Sequence, residues 1–361
     1  MSYILDVNSL QLGDIIISSG SSLGAQVIKV GTWSKDTHAM LYVGHTMIHA
    51  IPDGGVFSKN PQREIFKKMD HVKVLRLKKS LPYPDLHSIC DYARSLTGSI
   101  YSVKEALLTK LHGDKQTEAR TNMQFCSRLV AQSYASRNCF LVKNPNYCSP
   151  VDLSQSPLLM EITGAVRKAS DAEINFSKTP DPNLENQKLT YCWLNQVREV
   201  ANNFGFEIQK INNVPEFICS HPEQDHVVSG FIQESGYLEH YKCDLTINPY
   251  RYNISEFIKY FASKGIPLDV AVAAELEKEP GMITHFGRNF IGHSKMYETT
   301  GFKYYDLHGK LYCNMLNLIK DRLVVMYGAL TPPTDIQLKA NIYILIQQVD
   351  MILMPPVAPQ S

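Results

Sequence analysis

No two of the eight cysteines form a C-x-x-C pair, and Cys90, Cys126, Cys139, Cys148, Cys192, Cys219, Cys243 and Cys313 follow no regular spacing. Zinc ribbons and disulfide scaffolds are therefore not indicated. Excess charge is missing too. The formal net charge of +1 argues against nucleic-acid binding by bulk electrostatics, so no nucleic acid is expected as a partner. The most basic stretch, 63–79, is interrupted by Glu64 and Asp70 and reads as a solvated strand and turn. Nor is there an uninterrupted apolar run of the roughly 20 residues that a membrane-spanning helix needs. The nearest approach, 336–354, contains Lys339, Gln347, Gln348 and Asp350 and reads as a buried or amphipathic helix. Spanning is not expected; contact with a membrane surface is left open. The opening MSYILDVNSLQLGD has no basic stretch followed by an apolar core, so no signal peptide is expected. Together these absences point to a reducing cytoplasm.

What is present is average globular composition, with 44% hydrophobic and 20% charged residues. A chain of 361 residues suggests about two domains. The first part alternates short β-like runs with glycine turns: 14–18 after Gly13, 38–43 and 47–51 around Gly44-His45, and an alternating strand over 72–77. Helices are expected over 84–96 and 126–136. The polar stretch 168–188, with Pro180 and Pro182, reads as a linker. Beyond it the periodicity is mainly helical, with helices over 191–204, 310–327 and 335–354 among others. The expected organisation is an α+β domain over 1–167, a linker over 168–188 and a mainly helical domain over 189–361.

Two strands separated by an even-length turn at Gly44-His45 pair residues whose numbers sum to 89, so Met40 faces His49. Alternation then puts His38, Met40 and Tyr42 on one face with Met47, His49 and Ile51. His38 and His49 become diagonal neighbours, roughly 7–8 Å apart at Cα. A one-residue slip would separate them. His38, His45 and His49 could suggest zinc, but His45 lies in the turn, so neither metal nor cofactor is expected. In FCSRLVAQSYA, Cys126 opens a helix, where the N-terminal amides and macrodipole are expected to lower a thiol's pKa. A neighbouring imidazole could complete its activation, and the Cys126 N–H could serve as an oxyanion donor.

GDIIIS (13–18), THAMLYVG (37–44), IHA (48–50), FCSRLVAQSYA (125–135) and SPVDLSQSP (149–157) together resemble the circularly permuted, papain-like NlpC superfamily, most closely its YiiX-like branch. The resemblance covers about residues 10–165. It implies an antiparallel β core with a cysteine-bearing helix, Cys126 as nucleophile, His38 as general base, and His49 orienting His38. Many members carry a carboxylate where this chain has His49. The segment 100–122 reads as a long polar lid or substrate loop. The implied function is a cysteine amide hydrolase acting on a peptide- or acyl-bearing substrate. A lipid acyl hydrolase or acyltransferase using the same site is the alternative, and a non-catalytic binding protein on this scaffold is a third. The family also suggests export by a leaderless route as a second setting. An inhibitor or immunity partner would accompany such a role but cannot be named.

Overall fold

The computed structural model describes residues 1–19, 37–52, 54–107, 123–330 and 335–354. The chain divides into two compact units, 1–220 and 221–361.

The first unit is α+β. Its strands are β1 (Tyr3–Leu5), β2 (Ile15–Ser18), β3 (His38–Tyr42), β4 (Met47–Ile51), β5 (Gly55–Lys59), β6 (Ile65–Phe66), β7 (Val72–Leu77), β8 (Leu159–Glu161) and β9 (Val166–Lys168). They form an antiparallel six-stranded sheet of order β5-β4-β3-β2-β7-β8 and a three-stranded sheet of order β6-β1-β9. Side-chain alternation separates two apolar layers. Ile15, Ile17, Ala39, Leu41, Ile48 and Ala50 pack with Ile89, Leu129 and Val130, which come from helices α1 (Tyr83–Ser95) and, after the short α2 (Val103–Leu107), α3 (Cys126–Ala135). On the other face, Ile16, Met40, Tyr42, Met47 and Val74 pack with Leu5, Phe66 and Val166 of the smaller sheet. Each face of the main sheet is thus covered, which explains why its central strands are almost wholly apolar.

Backbone geometry pins the head of this sheet. Gly13 adopts φ +88°, a left-handed conformation, and a Cβ there would lie 3.1 Å from the Tyr134 hydroxyl and from Leu86. Tyr134 donates to the Gly13 carbonyl, tying α3 to the entry of β2. Asp14 is fully buried and accepts from Arg76 Nε and Nη2, both at 2.7 Å, and from the Gln11 amide at 2.8 Å. Such a bidentate pair joins β2 to β7 with defined geometry.

The polar stretch 168–188 is not a loose linker. After a short helix α4 (Pro150–Ser154) come α5 (Asp171–Ser177) and α6 (Pro182–Asn203). Ser170 and Glu173 form a reciprocal capping box, Asp181 caps α6 by accepting from the Asn183 amide, and Pro182 opens that helix. The serine, acid and proline content that suggests a linker is therefore helix-start chemistry. Arg63 stacks on Phe176 and donates to the Thr179 carbonyl. Gln187 of α6 donates to the Gly54 carbonyl at 2.9 Å, and Tyr191 packs on Phe57. These residues belong to the first unit, which ends with α7 (Val214–Ser220) rather than at residue 167.

The second unit is helical: α8 (Asp225–Glu234), α9 (Cys243–Ile247), α10 (Ile254–Ser263), α11 (Leu268–Leu276), α12 (Glu279–Thr300), α13 (Lys303–Ala329) and α14 (Ile336–Leu353). Phe257, Ile283, Leu316, Leu323, Met326, Ile342 and Val349 form its core. Buried Arg322 grips Glu279 with two hydrogen bonds of 2.9 Å, and Asp225 accepts from the first amides of α13, Lys303 and Tyr304. Among the described residues, no helix is long and apolar enough to cross a membrane.

Candidate active site

The histidine hairpin has the register expected from its turn. Met40 pairs with His49, Leu41 with Ile48 and Tyr42 with Met47. Gly44 (φ +86°) and His45 (φ +59°) both lie in the left-handed region, as a two-residue type I′ connection requires. His38 and His49 consequently meet on one sheet face. His38 Nε2 lies 3.2 Å from His49 Nδ1, and the rings make an edge contact with centroids 5.5 Å apart.

Cys126 is the first residue of α3, entered through the extended Phe125. Helix α3 packs on β3 and β4, and Cys126 belongs to the same apolar layer as Ala39. The amides of Ala39, the peptide immediately after His38, and of Ser127 favour negative charge on its sulfur. Tyr101, whose strand-like contact to Gln124 aligns the chain just before the cysteine, is near enough to sense a charge on Cys126.

The chain around the cysteine is held from below by Arg128, which is fully buried. Its guanidinium pairs with Glu105 at 2.8 Å and donates to the carbonyls of Met123 (2.8 Å) and Asn146 (2.7 Å). It also lies over the rings of Phe125 and Tyr147. Ser127 donates to the Cys148 carbonyl at 2.6 Å.

The electrostatics differ from the helix-terminus expectation. Burial raises the Cys126 thiol's pKa above its ordinary value and outweighs the amides that favour the anion. His38 is pushed down to about 3, first by desolvation and then by the charge of Lys59. His49 is also lowered, by burial, by His38 and by Lys59. The thiol and both imidazoles are thus neutral at rest, rather than a preformed thiolate and imidazolium; His38 and His49 are brought together on one sheet face, while Cys126 lies in the apolar layer of the other. Desolvation, which arises only once α3 packs on the sheet, outweighs the favourable amides at the helix N-terminus.

Ala39, Ser127, Tyr101 and Lys59 were not among the residues expected from sequence. Lys59 depends on the β4–β5 register, for which the sequence offered no turn rule. Of the expected lid over 100–122, Val103–Leu107 is helical, and 108–122 lie outside the described residues. Among the described residues, no cluster of three or more His, Cys, Asp or Glu side chains could hold a metal ion.

Residues 9–172 match a protein family described as permuted papain-like amidase enzyme, YaeF/YiiX, C92 family. This part of the chain is similar to that family. The match ends within the first unit and leaves the helical unit unassigned. No curated protein and no solved structure matches the chain. Papain-like amidase chemistry is thus the expectation for the N-terminal unit, in the permuted order in which the histidine strands precede the cysteine helix.

Proposed function

We propose that the N-terminal unit is a cysteine amide hydrolase in which Cys126 is the nucleophile, His38 the general base and His49 the residue that orients His38. The observation that carries this reading is the 3.2 Å contact between His38 Nε2 and His49 Nδ1. It occupies the outer nitrogen of His38 and leaves Nδ1, the nitrogen nearer the main chain, for the thiol. Cys126 lies against the next amide along that main chain, Ala39 N–H.

Alternation sends the His38 side chain to the face away from α3. The reading therefore requires thiol and imidazole to meet around the start of β3, where His38 is the first strand residue. In this scheme His38 carries its proton on Nε2 and donates it to His49 Nδ1, leaving Nδ1 as the acceptor. The sulfur attacks the amide carbonyl carbon as its proton passes to His38 Nδ1. The oxyanion receives the Cys126 N–H, which heads α3 and has no partner within the helix. Collapse breaks the C–N bond, and the leaving amine takes the proton from His38. Water then adds to the thioester, giving its proton to His38, and the carboxylic acid departs as the thiol is restored. Because the resting groups are neutral, proton transfer accompanies attack.

The test is turnover of peptide-amide and lipid-ester substrates by wild type and Cys126→Ala, with mass-spectrometric trapping of the acyl-enzyme. A trapped acyl group on Cys126 from an amide supports the reading. Turnover of lipid esters only would move the function to acyl hydrolysis or transfer, and amide turnover by Cys126→Ala would refute the nucleophile assignment.

A further inference from the structure

The register across β3, β4 and β5 aligns three polar side chains. Met40 pairs with His49 and Met47 pairs with Lys59, while Phe57 faces His49. His38 is therefore diagonal to His49, and His49 is diagonal to Lys59 in the same sense, so the three form an oblique line on one sheet face. Each step is roughly 7–8 Å between Cα atoms. The line ends at a built anchor. The Lys59 ammonium forms an ion pair with Glu64, which is only 4% exposed, and the Lys59 carbonyl accepts from Thr46 Oγ1 at 3.0 Å. Glu64 reaches it because a tight 3-10 turn, Pro61–Arg63, capped by Asn60, folds the chain back after the edge strand.

We propose that Lys59, anchored by Glu64, is a positioning residue of the site, keeping the His38–His49 pair in its neutral, proton-accepting form. The inference rests on the Cys126–His38–His49 reading above. A cation at the end of the line opposes the arrival of a second positive charge on either imidazole. A carboxylate in the third position would do the opposite and favour the imidazolium. With His49 in that position, a nearby cation preserves a competent base well into the acid range. Among the described residues, the neighbours on this face do not supply this field: Tyr42 shares the face and Ser18 lies opposite His38 on β2. The direction agrees with Lys59 acting on both rings.

The test uses the full chain with ¹⁵N-labelled histidine, following the ring nitrogens of His38 and His49 against pH, in parallel with the acid limb of amide turnover. Lys59→Met should raise the pair's titration midpoint by roughly 1.5 pH units, the field of a unit charge ~8 Å away at an effective dielectric near 20. Glu64→Gln, which removes the counter-charge, should lower it. Lys59→Arg retains the cation and should keep the wild-type midpoint, so a merely structural role would be exposed by Lys59→Arg and Lys59→Met moving together. An unchanged midpoint in Lys59→Met, or a rise in Glu64→Gln, would overturn the proposal. If Lys59→Met fails to fold, the Lys59→Arg and Glu64→Gln pair decides the sign. The ring titration is independent of turnover, so it judges Lys59 even if Cys126→Ala shows the catalytic assignment to be wrong.

Discussion

Replacing Arg128 with Met should destabilise the N-terminal unit severely and loosen the approach to Cys126. The guanidinium is fully buried and makes one ion pair and two carbonyl hydrogen bonds, all at 2.7–2.8 Å. Met fills much of the volume but removes the guanidinium that pairs with the buried Glu105 carboxylate, to which Tyr147 still donates at 3.0 Å. Breaking a buried pair from one side costs about 3–5 kcal/mol. Each stranded carbonyl adds about 1–3 kcal/mol unless water reaches it. Against a total stability of about 5–15 kcal/mol, this approaches unfolding. A loss of about 4 kcal/mol corresponds to a melting-temperature drop of roughly 8–16 °C for a unit of this size. Circular dichroism gives the melt, and pulsed alkylation of the buried Cys148, whose carbonyl is held by Ser127, reports opening beside the nucleophile. Glu105→Gln combined with Arg128→Met removes both charges and should recover part of the loss. A drop of under about 2 °C, or a double variant as unstable as the two singles summed, would show that the pair does not brace this helix.

Three other outcomes follow from the site. His38 and His49 are neutral in the folded state with pKa values below 6.5, so the unfolded chain binds more protons in the window from about 6.5 down towards 3. Stability of the N-terminal unit should accordingly be fully present above that window and fall as pH is lowered through it; urea midpoints across pH 4–7 check this, and a flat profile contradicts it. With iodoacetamide near neutral pH, the exposed Cys192 and Cys219 should label ahead of Cys126, whose raised pKa should make its rate climb steeply towards alkaline pH; peptide mapping that finds Cys126 fastest at pH 7 would restore the preformed-thiolate picture. On amide substrates, His38→Ala should cost roughly 10²–10⁴-fold and His49→Ala less, since His49 acts through His38; steady-state kinetics with the reverse order would exchange their roles.

The hairpin was legible in the sequence because one fact, a two-residue turn at Gly44-His45, determines every pairing that follows. Met40 opposite His49 and the shared face of the two histidines both come from that count. The cysteine helix was equally visible, since Leu129, Val130 and Tyr134 repeat at helical spacing after an abrupt FCS start. What escaped was anything that depends on burial or on a second register. The thiol's electrostatics turned on desolvation, which needs the packing of α3 on β3. Lys59 became a neighbour of His49 only through the β4–β5 pairing, and Arg76 reached Asp14 only through the β2–β7 pairing. Capping chemistry at Ser170 and Asp181 mimics linker composition, because both favour small polar residues and proline.

The Gly44-His45 turn imposes a parity rule on any change of length between His38 and His49. Within a regular ladder, each residue inserted there reverses the inside–outside sense of all downstream positions on β4. One added residue would bring Ile48 or Ala50 to the place opposite Met40 and turn the second imidazole into the apolar layer beneath α3. Two added residues would return an imidazole-compatible phase, with one more rung between the rings. Loop grafting in this scaffold therefore advances in steps of two, and an odd step is tolerated only where a bulge absorbs the extra residue. The hairpin is in this sense a counting device, in which even and odd loop lengths code for two different sites on the same strands.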